Sequence, residues 1–125
     1  MTGKSKTLIL GSGISGIGVV KLACKNGLDV ILSDSKNIKS ETKKFLSKLG
    51  VIYEESGHTE NLINDSNEIV ISPGIDLKSL IKSKPSIQNK NVISEIEFAS
   101  RYTNAFIIAV TGTNGKTTTS KLIYH

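Results

Sequence analysis

Apolar residues in this chain fall in short runs, and the segments between the runs have helical spacing. Leu8, Ile9 and Leu10 close a first strand at residues 7–10. A glycine turn at 11–16 follows, and Ile17, Val20, Leu22 and Cys24 give residues 14–25 the spacing of a helix. A second strand is predicted at 29–33. Ser40 is placed as the N-cap of a helix running to Leu49, stopped by Gly50. Further strands are predicted at 51–53, 68–71 and 92–93, with a turn at Ser72, Pro73 and Gly74 and a helix at 77–82. Residues 95–102 read as a helix, 106–110 as an apolar strand and 116–124 as a helix-compatible segment. Short strands alternating with helices predict an α/β fold: a Rossmann-like parallel sheet with helices on both faces. A boundary is expected near Ile93 or Ser94. It divides a domain at 1–93 from the first strand and phosphate loop of a second α/β domain at 94–125.

The first turn, Gly11-Ser12-Gly13-Ile14-Ser15-Gly16, fits G-x-G-x-x-G directly after a strand and before a helix. Asp34 ends the second strand, 18 residues after Gly16. In dinucleotide-binding folds such glycines allow a tight turn and close approach of a diphosphate, and the acidic residue takes a ribose hydroxyl pair. A helix packed closely on its strand would also use glycines here. The motif does not specify which nucleotide.

The second glycine-rich run is Thr111-Gly112-Thr113-Asn114-Gly115-Lys116-Thr117. It follows an apolar strand and enters a helix-compatible segment, the layout of a triphosphate loop. Backbone N–H groups at such a turn favour an anion. Lys116 can reach outer phosphates, and the Thr117 hydroxyl is placed to meet a bound Mg²⁺. Val110 occupies the first glycine position of the strict pattern, so the loop is a variant. His125 follows Lys116 by nine residues, whereas a complete ATP site needs further strands. The chain is therefore read as the N-terminal piece of a longer protein, inactive by itself.

Composition narrows the alternatives. No apolar run approaches the roughly 20 residues needed to span a bilayer, and the polar start followed by glycines does not read as a signal peptide. The one cysteine, Cys24, cannot form an intrachain disulfide, which suits a cytoplasmic setting. The net charge is +5, but it is carried almost wholly by scattered lysines and only one arginine. Nucleic-acid readers cluster basic residues and favour arginine, so a solvated lysine-rich surface is the reading adopted.

These motifs, together with Asp34-Ser35, Ile71-Ser72-Pro73-Gly74-Ile75 and Ser94-Glu95-Ile96-Glu97-Phe98, resemble the Mur ligase family of peptidoglycan synthesis in order and spacing. The resemblance covers essentially the whole chain and is nearest to the D-glutamate-adding member. The L-alanine-adding member usually has His where Asn114 stands. Folylpolyglutamate synthetases share the loop variant but lack the preceding Rossmann-like domain. The resemblance implies a monomeric, three-domain, ATP- and Mg²⁺-dependent enzyme that joins D-glutamate to UDP-N-acetylmuramoyl-L-alanine through an acyl phosphate. It implies that Gly13, Ile14 and Ser15 lie against the nucleotide and diphosphate, that Asp34, Ser35 and Lys36 surround the uracil and ribose, and that Ser72, Pro73 and Gly74 close the pocket. Lys36 stands where many members carry arginine. Thr113, Asn114, Gly115, Lys116, Thr117, Thr118 and Thr119 would form the ATP loop, with Lys116 catalytic and Thr117 on the metal.

Other reactive side chains are read as structural. Cys24 is placed as a packed thiol and His58 as a surface residue in a polar loop. Glu95 and Glu97 leave a helix about 200° apart and are read as solvated or helix N-terminal charges. Two alternatives stand beside the ligase reading: a non-catalytic module that binds UDP-sugar or NAD, and a dehydrogenase cofactor domain, which has no use for the second loop. In the longer parent enzyme, Lys116→Ala should lower turnover about 10²–10³-fold, roughly 3–4 kcal/mol of lost transition-state contact. Binding of the UDP substrate should change little. Steady-state kinetics beside calorimetry checks this, and near-normal turnover would remove Lys116 from the mechanism.

Overall fold

A computed structural model describes residues 5–104. The strand expected at 106–110, the loop at 111–119 and the helix after it lie outside the described residues. Five strands, β1 (Lys6–Leu10), β2 (Asp29–Ser33), β3 (Ile52–Glu54), β4 (Glu68–Ile71) and β5 (Asn91–Ser94), form one sheet in the order β3-β2-β1-β4-β5. All pairings are parallel. Leu10 lies opposite both Ser33 and Ile71, Ser33 opposite Glu54, and Ile71 opposite Ser94. The C-terminal ends of all five strands are thus level, and the loops after them leave from one edge.

The apolar runs face both ways, as a sheet covered on two sides requires. Ile9, Val30, Leu32, Val70 and Ile93 meet Val19, Val20 and Ala23 of α1 (Ile14–Lys25), Leu46 of α2 (Ser40–Lys48) and Phe98 of α5 (Glu95–Ser100). On the opposite face Leu8, Leu10, Ile31 and Ile69 meet Ile63 of α3 (Glu60–Asp65), Ile87 of a 3₁₀ helix (Pro85–Asn89) and the apolar side of α4 (Leu77–Ser83). Leu8, Leu10, Leu32 and Ile69 are completely buried, each contributing roughly 1.5–3 kcal/mol relative to exposure.

Several local expectations shift. Lys39, extended at φ −60° and ψ 144°, is the residue before α2, and Ser40 is already helical. The buried Ile38 beside it anchors that entry to the core. The third strand begins one residue later than expected, because Val51 turns into the core before pairing starts. Helix α3 and the 3₁₀ helix stand where no element was expected. Each is under two turns long and is held chiefly by one fully buried isoleucine, too little for a periodic signal. Helix α5 ends at Ser100 rather than Tyr102. Its Phe98 is buried with α1, so packing against the sheet continues past the break expected near Ile93. Arg101 then makes two 2.8 Å bonds to the Glu68 carboxylate at the start of β4.

The glycines of the first turn have different duties. A side chain at Gly16 would overlap the Gly11 carbonyl, while one at Gly18 would meet open space. Gly16→Ala should therefore destabilise the fold by roughly 1–3 kcal/mol, as overpacking does. Gly18→Ala should be neutral or stabilising by up to about 1 kcal/mol. Urea unfolding of the two variants tests this ordering, and equal midpoints would contradict it.

Candidate functional site

Three of the level strand ends build one crevice. Strand order reverses between β1 and β4, and ligands of open α/β sheets bind outside the strand ends at such a point. Here Gly11 follows β1 with φ +107°, a conformation that favours glycine. A Cβ on Gly11 would come within 2.6 Å of Ser72 Oγ. Ser72 ties the start of the loop after β4 to the end of β1: its amide and its hydroxyl both donate to the Leu10 carbonyl, at 3.2 and 3.1 Å.

Gly13 is the residue before α1, and no side chain caps the helix there. Nothing lies within 4 Å of where its Cβ would be. Gly11 and Gly16 are thus required by the protein's own packing, whereas the position of Gly13 is open. The uncapped N–H groups of α1 face it, with the partial positive charge of a helix start. Ile14, the first helical residue, is 97% exposed. A cleft of about 660 Å³ opens beside it, lined by Ser12, Gly13, Ile14, Lys21, Asp34 and Lys36 among others.

Asp34 joins this turn to the next. Its Oδ2 accepts from the Ser12 amide at 2.8 Å and the Ser12 hydroxyl at 2.5 Å, and its Oδ1 accepts from the Lys36 amide at 2.9 Å. Partial burial would raise the carboxyl pKa. The bonds from Ser12 and Lys36, helped by the nearby His58, outweigh burial and hold it below the usual carboxylate value. A two-oxygen grip on a ribose diol is the role the motif suggests, but Oδ2 already has two donors. Oδ1 retains one lone pair, enough for a single donor.

The loop after β3 supports the Asp34 turn from beneath. Asp34 N–H donates to the Glu54 carbonyl at 3.0 Å, Gly57 N–H to the Asp34 carbonyl at 3.1 Å, and Ser56 N–H to the Lys36 carbonyl at 3.2 Å. Ser56 and Gly57 adopt positive φ, 63° and 148°, and fold His58 inward. His58 is therefore half-buried rather than a free surface residue. Its Nδ1 lies 2.6 Å from Ser33 Oγ, and Ser33 has no exposed surface. Burial depresses the His58 pKa, opposed by Glu54 and Asp34 and reinforced by Lys84. No motif spacing marks this histidine; the signal was the Ser-Gly pair before it. A second cleft, about 470 Å³, is lined by Ser35, His58, Gly74, Asp76, Ser79 and Lys84.

Of the sequence-predicted residues, Gly13, Ile14, Asp34 and Lys36 line the first cleft, and Ser35 and Gly74 the second. The remainder of that set, Ser15 in the first turn of α1 and Ser72 and Pro73 after β4, line neither. Thr113 to Thr119, including Lys116 and Thr117, lie outside the described residues. Among the described residues no group of three or more His, Cys, Asp or Glu side chains could hold a metal, and no helix is long and apolar enough to cross a membrane. Cys24 packs beside the core, and burial pushes its thiol up. Glu95 and Glu97 stand in the first turn of α5, whose Ser94 cap accepts from Glu97 N–H at 3.1 Å. Glu95 Oε2 is buried rather than solvated.

A five-stranded parallel sheet with helices on both faces and a glycine turn at its switch point is a Rossmann-like α/β domain. Residues 6–81 match the family model described as the MurD N-terminal domain, and the chain belongs to that family. It is 46% identical over 120 residues to the UDP-N-acetylmuramoylalanine–D-glutamate ligase of Bacteroides thetaiotaomicron, covering 96% of this chain and 27% of that protein. To the ligase of the same name from Porphyromonas gingivalis strain W83 it is 43% identical over 122 residues, covering 98% of this chain and 27% of the relative. The chain thus spans about a quarter of the length of these relatives. Among solved structures, a pseudomurein peptide ligase type C from Methanothermus fervidus superposes with a TM-score of 0.66 at 25% identity, over 98% of this chain and 25% of that one.

Asp34 has a lowered folded pKa, so its contribution to stability is complete above the unfolded value of 3.8 and is lost as pH falls through the folded one. Glu55, bonded by Lys43, and Asp76, bonded by Ser79, share this direction. Stability should therefore decline from about pH 4 downward. Asp34→Ala should cost roughly 1–3 kcal/mol at neutral pH and make the acid decline shallower. Denaturant titrations across pH check both, and an unchanged acid limb would remove Asp34 as the tie.

Proposed function

We propose that this chain binds the UDP end of UDP-N-acetylmuramoyl-L-alanine and contributes the opening of the ATP site of a D-glutamate-adding ligase. The observation that carries the reading is the open space at Gly13, in front of the uncapped α1 terminus and beside the Asp34 turn. A diphosphate placed there would accept from the α1 amides. Lys21 and Lys36 line the same cleft and would add attraction without fixed geometry. The remaining acceptor on Asp34 could take one donor of the nucleoside. The names of the relatives supply the acceptor and the amino acid.

In this reading residues 94–125 lead into a central ATP-binding domain. Lys116 would contact the transferred phosphoryl group and Thr117 would meet Mg²⁺. The substrate carboxylate would attack the γ-phosphate of ATP, releasing ADP and forming an acyl phosphate, and the amine of D-glutamate would displace phosphate from the acyl carbon to form the amide. The parent enzyme is proposed to be a cytoplasmic monomer. The 125 residues are proposed to bind without turnover.

Isothermal calorimetry should give tighter binding of UDP-N-acetylmuramoyl-L-alanine than of NAD, and equal or stronger NAD binding would overturn the reading. Gly13→Ala should keep stability within about 1 kcal/mol while weakening the UDP ligand about tenfold or more, roughly 1.4 kcal/mol. Unchanged affinity in that variant would place the diphosphate elsewhere.

A further inference from the structure

Ser33 sits at the base of the Asp34 turn with three polar neighbours and a single proton to give. Its Oγ lies 2.6 Å from His58 Nδ1, 3.0 Å from the Gly57 carbonyl and 3.2 Å from Glu54 Oε1. The carbonyl and the carboxylate can only accept. If Nδ1 also had to accept, it would compete with the Gly57 carbonyl for the one Ser33 proton, in a place with no exposure. If Nδ1 carries the proton instead, it donates to Ser33 Oγ, and Ser33 donates onward to Gly57 or Glu54. Glu54 Oε1 already accepts from the Thr59 amide at 2.7 Å, so with Ser33 donating to the Gly57 carbonyl every group is used, and the ring is fixed. This arrangement also leaves Nε2 as an unprotonated acceptor. The ring lines the second cleft together with Ser35 and Gly74, two residues that the family resemblance implies belong to the UDP pocket.

From this geometry we propose that His58 is a further ligand-binding residue: held by Ser33 through Nδ1, it offers Nε2 as an acceptor to an N–H or O–H donor of the nucleoside. The inference rests on the UDP-binding reading and extends it across the Asp34–Ser35 turn into the second cleft. The diphosphate would occupy the cleft at Gly13 and the nucleoside would lean toward His58. The charged groups facing the ring are Glu54 at the end of β3, Asp34 after β2 and Lys84 after α4, with Asp76 on the cleft wall. Burial and Lys84 keep the ring neutral below the ordinary histidine value of 6.5, against the pull of Glu54 and Asp34. Protonation would place a hydrogen on Nε2 and turn the acceptor into a donor. Affinity should therefore be steady around neutral pH and fall in acid.

The test uses the 125-residue chain and UDP-N-acetylglucosamine, whose esterified diphosphate does not titrate in this range. Calorimetry at about pH 8 and about pH 5.5 brackets the ordinary histidine pKa. Wild type should bind more weakly at the acid end, by up to about fivefold, the worth of one hydrogen bond. His58→Gln, which carries an oxygen near the Nε2 position, should retain affinity and lose the pH dependence. His58→Ala should lose about fivefold at both ends. Nitrogen-15 spectra of the free protein should show Nδ1 protonated and Nε2 bare, and Nε2 should shift on ligand addition. Unaltered binding and pH dependence in His58→Ala would overturn the proposal, as would a free-state proton on Nε2. Failure of wild type to bind any UDP-sugar at neutral pH would instead overturn the UDP-binding reading, and the free-state spectra would still decide how the ring is held.

Discussion

The Asp34 carboxylate is the interaction on which the site depends. It accepts three hydrogen bonds from two loops that are far apart in sequence, at Ser12 and Lys36. It adds to the Gly11 N–H bond to the Ser33 carbonyl at 2.8 Å in tying the glycine turn after β1 to the turn after β2. With it, the open start of α1 is held at a fixed distance from the β2 turn, and the crevice exists before any ligand arrives. A preformed site spares the ordering cost that flexible loops would impose on binding.

The sheet makes that bond possible. Parallel pairing with level strand ends brings Leu10, Ser33, Ile71 and Ser94 into one row, so each following loop starts from the same edge. The apolar layers on both faces hold the strands in that register, because a slip would bury polar side chains. The β3 loop then props the Asp34 turn from below through Glu54, Ser56 and Gly57. Stability and binding geometry are coupled through the same few residues at this edge.

Much of the fold was legible in the sequence. Apolar runs of three to five residues marked the strands, and the alternation with helices marked the parallel sheet. The glycine turn and Asp34 marked the crevice. What the sequence left open is a matter of local physics. Helix α3 and the 3₁₀ helix are under two turns long, each anchored chiefly by Ile63 or Ile87, and a single anchor has no period. All the glycines of the first turn look alike as letters. Only the coordinates separate Gly11 and Gly16, which neighbouring atoms require, from Gly13, which they do not. Asp34 was visible as an acid, but its engagement by Ser12 was not. His58 was misread because its environment is made by a fold-back at Ser56 and Gly57, and no motif encodes it.

The most direct test of the account is amide chemical-shift mapping of the chain during titration with UDP-N-acetylmuramoyl-L-alanine. The central claim is that the loops at the C-terminal ends of β1, β2 and β4 form one preorganised nucleotide site. The largest shifts should fall at Gly13, Ile14, Ser15, Ser35, Lys36 and Gly74, with little change in strand amides. Shifts concentrated at the opposite sheet edge, near Lys6, Asp29 and Glu68, would contradict it, as would rearrangement spread through the strands.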